Sequence, residues 1–210
     1  MSQGQIIFLN GTSSSGKSTI AKALLDVMDE PYLHTGIDHF LERYPDRMIT
    51  YSDGVDPAHA EGWLAVFRDD TLIEVRIGPA GYRMIAGMYR AIAALAEAGL
   101  NVVVDDVMYD PHVLEEAVAT LHEYDVFFVG VRCALDVAER RERERGDRAK
   151  GGARAFHYLV HRHAIYDLEI DSAQLSAEEC AAHIKRALRA RSTPHAFAQL
   201  QHIFAHSAAR

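Results

Sequence analysis

The chain has 210 residues, 49% of them apolar and 25% charged. At about 150 residues per domain, that is roughly one domain with enough mass for a core without disulfides, and it excludes disorder as the main state. The charge of 22 − 30 = −8, with twelve His counted neutral, excludes a uniformly basic surface and makes nucleic acid a poor partner.

Residues 5–10 (QIIFLN) form a β-branched and aromatic run ending in Gly and Ser, the pattern of a buried strand. Residues 17–28 place Ile20, Ala23, Leu24 and Val27 at helical spacing. A brief strand follows at 31–34, then a short helix near 38–44. Residues 64–67 and 72–77 flank Arg68-Asp69-Asp70-Thr71, which predicts a β-hairpin. Residues 81–98 read as an Ala-rich helix stopped by Gly99.

Residues 101–107 (NVVVDDV) are the clearest buried strand, with acids at the C-terminal end. A helix over 111–122 carries Pro in its first turn, and a strand over 125–133 follows it. A charged helix spans 134–148 and breaks at Gly146, Gly151 and Gly152; a second helix is expected over 153–166. A last strand at 168–170 precedes an amphipathic helix over 176–191, which opens with the capping pattern Ser176…Glu179. Residues 194–205 add a terminal helix. Strands that are apolar on both faces and alternate with helices predict an α/β fold with a covered parallel sheet.

No stretch approaches about eighteen uninterrupted apolar residues, and the first residues lack the basic start of a signal peptide. Cys133 and Cys180 are too few for a disulfide framework. A cytoplasmic protein without membrane spans is expected. A homodimer is compatible with the sequence, though no periodic stripe demands one.

The segment Gly11-Thr12-Ser13-Ser14-Ser15-Gly16-Lys17-Ser18 matches the phosphate-loop pattern, with a strand before it and a helix after it. Glycines let backbone N–H groups turn onto phosphate oxygens, and the helix start through Thr19 adds positive charge. Lys17 is expected on the β- and γ-phosphates and the Ser18 hydroxyl on Mg²⁺. Asp105 and Asp106 end an apolar strand, at the sheet edge where α/β ligands bind. One of them supports Mg²⁺, with Asp105 favoured; Asp106 has the alternative of facing the core or capping the next loop. Asp38, in HTGIDHF, follows the second strand. It suits acceptance of a proton from a substrate hydroxyl, or capping of a helix near Gly36; both readings stay open.

Arg141 and Arg145 are four apart on one helix face, with Arg148 beyond. Arginines clamp transferring phosphate, and the glycines at 146, 151 and 152 let the segment act as a lid. Arg140 and Arg143 read as a solvated Glu–Arg face. His157 and His161 have helical metal spacing, but nothing completes a zinc set. Trp63, Phe67, Tyr82, Tyr89 and Tyr109 are candidates for an apolar acceptor pocket, or for core.

These motifs together resemble chloramphenicol phosphotransferase and its relatives, P-loop kinases that phosphorylate a hydroxyl of a small antibiotic. The resemblance rests on IIFLNGTSSSGKSTI, YLHTGIDHFLERYP, AGLNVVVDDVMYD, VFFVGVRC, RERERGDR and YDLEID, in that order. It implies a nucleotide-kinase-type fold: a five-stranded parallel sheet with helices on both faces and an arginine-rich lid. It implies one kinase domain over 1–191, with an acceptor region at about 38–90, a lid at about 134–164 and a helical extension over 192–210. It further implies ATP and Mg²⁺, a small-molecule hydroxyl acceptor, Asp38 as catalytic base, and Arg141, Arg145 and Arg148 as phosphate clamps. Segments 50–83 and 151–163 depart from the family pattern. A kinase of another small acceptor and a nucleotide-hydrolysing switch are the alternatives.

Overall fold

The computed structural model describes residues 2–52, 61–146, 149–191 and 195–207. Its main sheet is fully parallel, in the order β2-β6-β1-β7-β8. These strands are β1 (Gln5–Asn10), β2 (Tyr32–Gly36), β6 (Asn101–Asp106), β7 (Asp125–Arg132) and β8 (Leu168–Asp171).

Successive strand side chains point to opposite faces, and the central strands use both. Ile6, Phe8, Val102, Val104, Val126 and Phe128 enter one core. There they meet α3 (Pro79–Glu97), α4 (Pro111–Leu121) and α8 (Ala196–Ser207). Ile7, Leu9, Val103, Phe127, Val129 and Val131 enter the other core, against α1 (Lys17–Val27) and α7 (Ala177–Ala190). This double burial is why these strands read as continuous apolar runs.

A small second sheet, β3-β4-β5, stands beside the first. The hairpin pairs β4 (Trp63–Arg68) with β5 (Thr71–Ile77), and its turn residues Asp69 and Asp70 both have positive φ, 48° and 55°. That conformation defines the tight hairpin turn whose twist matches the strands. β3 (Ile49–Ser52) pairs parallel with β4. Its four residues carry too little pattern to be read from sequence.

Three boundaries differ from expectation. α5 (Leu135–Arg145) ends at Gly146, whose φ of 66° is left-handed. α6 (Gly152–His157) is a short helix rather than one reaching 166, because the chain must then descend to β8. Within that descent Val160 and Tyr166 bond Asn10, at the end of β1, instead of continuing a helix. α2 (Ile37–Leu41) is one turn of helix. α7 carries the expected capping box between Ser176 and Glu179. α8 is built into the first core: Ala196, Phe197 and Leu200 are buried there, with Phe197 against Phe8 and Phe128. Among the described residues, no helix is long and apolar enough to cross a membrane.

Candidate active site

The carboxyl ends of β1, β2 and β6 and helix α5 enclose a cleft of about 250 Å³. Ser13, Ser14, Gly16, Lys17, Ser18, Thr19, Ile37, Asp38, Asp105, Val107, Arg141 and Arg145 line it. Loop, strand-end acid, Asp38 and arginines, scattered over the sequence, therefore meet in one place.

The phosphate loop has the backbone its residues imply. Gly16 adopts φ 90°, in the left-handed region, and Ser14 does so at 59°. A Cβ on Gly11 would lie 2.6 Å from the Val131 carbonyl oxygen, so only glycine fits there. Lys17 Nζ donates to Thr12 O across 2.8 Å. The Ser15 hydroxyl is buried with no hydrogen-bond partner in the protein. The left-handed turn at Ser14 and Gly16, which line the cleft with Lys17 and Ser18, fits a ligand rich in acceptor oxygens, such as a nucleotide phosphate.

Strand parity separates the two acids. Asp105 shares the face of Val103, toward α1, and Asp106 shares the face of Val104, toward α3. Asp105 Oδ2 accepts from Ser18 Oγ at 2.5 Å, and Oδ1 lies 2.9 Å from His34 Nε2. Burial pushes the Asp105 carboxyl up, but the bonds from His34 and Ser18 and the charge of Lys17 hold it below its ordinary value. Its ionised carboxylate beside a hydroxyl is a hard-oxygen pair that suits Mg²⁺. Asp106 accepts from Tyr89 Oη at 2.8 Å and from the Val107 amide at 2.7 Å. It does not line the cleft. Burial pushes its carboxyl up to about 6.

Asp38 sits in the first turn of α2 and lines the cleft. The cap position belongs to Gly36, and no side chain caps this helix. A Cβ on Gly36 would fall 2.1 Å from Asp105 O and 2.4 Å from its Oδ1, so the glycine lets β2 close on the acid.

Helix α5 and its following turn lie against the loop. Arg141 donates to Ser172 O at 2.7 Å, and its Nη1 reaches Ser15 O at 3.5 Å. Ser172 Oγ itself donates to Ser15 O at 2.6 Å. Thr12 Oγ1 donates to Ala153 O at 2.8 Å. Arg145 lines the cleft beside Arg141. Arg148 lies outside the described residues.

None of the five aromatics proposed for an acceptor pocket lines this cleft. Trp63 and Tyr89 are core residues, fixed by Tyr44 and Asp106. Phe67 meets Tyr51, Tyr82 bonds Asp110, and Tyr109 stacks on Phe156 of the lid. Trp63 and Tyr89 are fully packed, whereas Phe67, Tyr82 and Tyr109 are only partly buried.

Several residues escaped the sequence reading. Glu142, hidden in a run of charges, is only 8% exposed and accepts from the Gly151 and Ala153 amides. Ser172 had no local pattern, and His34 and His39 flank Asp38 without a familiar spacing. His161 has the helical spacing to His157 that metal pairs use. Its Nδ1 instead lies 2.6 Å from Tyr166 Oη, and burial pulls its pKa down to about 4.

A family model described as chloramphenicol phosphotransferase-like protein matches residues 4–189. A Mycobacterium tuberculosis protein from strains CDC 1551 and H37Rv, provisionally named an O-phosphotransferase, is 34% identical over 206 residues. That match covers 97% of this chain and 91% of the relative. Among solved structures, the Mycobacterium tuberculosis APS kinase CysC in complex with AMPPNP and APS has TM-score 0.61 at 17% identity, covering 90% of this chain and 100% of that one. A sugar kinase from Janibacter sp. HTCC2649 has TM-score 0.60 at 15% identity, covering 89% and 95%. At such identities the structural matches establish the P-loop kinase fold alone.

Proposed function

The chain belongs to the chloramphenicol phosphotransferase-like family, and from that premise we propose that this small-molecule kinase moves the γ-phosphate of ATP to a hydroxyl of a chloramphenicol-like antibiotic, with Asp38 as base. The observation that supports this is the single cleft shared by Lys17, Ser18, Asp38, Asp105, Arg141 and Arg145.

In this reading the loop amides and Lys17 hold the nucleotide phosphates. Ser18 and Asp105 would hold Mg²⁺, which neutralises phosphate charge when bound. The acceptor enters beside Asp38, covered by residues of the 38–90 region. Asp38 takes the proton of the acceptor hydroxyl, and that oxygen forms a bond to the γ-phosphorus as the bond to the β-phosphate oxygen breaks. ADP leaves with the bridging oxygen. Arg141 and Arg145 face the transferring group and offset its charge, and positioning supplies most of the acceleration.

The test is mass spectrometry of acceptors after incubation with ATP, over phenicols, other antibiotics, sugars and nucleosides. A product heavier by one phosphoryl group, on a phenicol hydroxyl, is expected. Asp38→Asn should lower transfer by about 10²- to 10⁴-fold while ATP affinity stays nearly intact. Full transfer by Asp38→Asn would remove the base assignment, and phosphorylation confined to a sugar or nucleoside would replace the acceptor.

A further inference from the structure

Three side chains that the transfer reaction does not explain as a group converge beside the cleft. His34 lies on β2, His39 on α2 and Asp105 at the end of β6. β2 and β6 pair with His34 opposite Val103 and Gly36 opposite Asp105, which brings His34 and Asp105 onto the same face. Each of the three offers one ligand atom, and these atoms all lie within 4.8 Å of one another. Among the described residues this is the only such trio of His, Cys, Asp or Glu.

The His34–Asp105 separation fits coordination chemistry. His34 Nε2 and Asp105 Oδ1 are 2.9 Å apart. Two donors at that separation, each about 2.05 Å from an ion, subtend about 90° at it. The His39 ring meets the His34 ring edge-on, with centroids 5.0 Å apart and planes at 87°. His39 Nδ1 is buried and has no hydrogen-bond partner in the protein. A His34–Asp105 hydrogen bond alone would steady the acid, but it leaves that orphaned imidazole nitrogen unexplained. Leaving such a group unsatisfied costs about 1–3 kcal/mol, and a bound ion would supply a partner. The side chains of His34 and Asp105 retain 12% and 9% exposure, enough for an ion to enter.

We propose that His34, His39 and Asp105 form a binding site for a first-row transition-metal dication, Zn²⁺ or a chemical equivalent. Two imidazoles and one carboxylate select such ions over Mg²⁺, which takes oxygen ligands. The site is distinct from the Ser18 side of Asp105: Oδ1 faces the histidines and Oδ2 faces Ser18. One carboxylate would then bridge two cations of different chemistry, as in two-metal centres. Binding needs neither nucleotide nor acceptor, so it stands or falls apart from the proposed reaction.

The experiment uses the full chain, freed of metal and without nucleotide, titrated with Co²⁺ as a spectroscopic probe. The expected result is one equivalent bound, with d–d absorption, displaced by Zn²⁺ and not by excess Mg²⁺. His34→Ala and His39→Ala should weaken Co²⁺ binding by more than about 100-fold, beyond the roughly 10- to 100-fold that loss of a mere orienting partner costs. His39→Phe, which keeps the ring against His34 but offers no nitrogen, should do the same, and it tests the site even if His39→Ala fails to fold. His157→Ala should change nothing. Absence of a d–d band, an unaltered band in His39→Phe, or a band lost only in His157→Ala overturns the site.

Discussion

The hydroxyl of Ser18 donates to the carboxylate of Asp105 across 2.5 Å, although the two residues are 87 positions apart. The bond ties the first turn of α1 to the end of β6, so the phosphate loop and the strand acid hold one geometry. The neighbouring acid points the other way, into the core with Tyr89.

That divergence predicts opposite pH behaviour for adjacent residues. Asp106 titrates at about 6 in the folded chain, above the ordinary 3.8, chiefly through burial. The native state therefore holds this proton more tightly than the unfolded chain. Stability from Asp106 is present below about pH 4 and is lost as pH rises toward 6. Asp105, held below the ordinary value, contributes stability above about pH 4 and loses it on further acidification. Asp106→Asn should flatten the decline between pH 4 and 6 in denaturant melts. An unchanged profile would contradict the assignment.

Glu142 holds the glycine turn after α5 by accepting from Gly151 and Ala153 at 2.8 Å each. Glu142→Gln keeps the shape but turns an amide NH₂ toward backbone donors. A loss of about 1–3 kcal/mol is expected, with faster hydrogen exchange at Gly151 and Ala153 and a raised KM for nucleotide. Unaltered exchange at those amides would argue against this role.

Gly36 is extended, not left-handed, so its requirement is space. Gly36→Ala should drive β2 from Asp105, lowering Tm and reducing transfer more than tenfold. A crystal structure showing the Ala methyl accommodated without movement of Asp105 would refute the steric account.

Phe197 is 3% exposed, 5.1 Å from the Phe128 ring centroid and 6.1 Å from that of Phe8. Phe197→Ala should cost about 3–5 kcal/mol in equilibrium unfolding. A loss below about 1 kcal/mol would mean that α8 is detachable from the core.

The phosphate loop, the parallel sheet and the arginine helix were legible because each is encoded locally: by glycine spacing, by apolar runs and by an i,i+4 face. The resemblance brought Asp38 forward, and the cleft then placed it beside Lys17 and Ser18. Other features had no local signature. Glu142 sits in a charge run that reads as solvated, yet its partners lie nine and eleven residues on, across a turn. The five aromatics had the spacing of either core or pocket, and only long-range neighbours put Trp63 and Tyr89 in the core.

The sequence by itself determined where the phosphate-loop pattern lies, because glycine, lysine and hydroxyl stand there at fixed local intervals. Only the tertiary structure decided which acid reaches the site. Adjacent strand residues face opposite sides of a sheet, and which side holds α1 is a property of the fold, not of the dipeptide. Asp105 met Ser18 and two histidines on that side, while Asp106, one residue on, met a buried tyrosine.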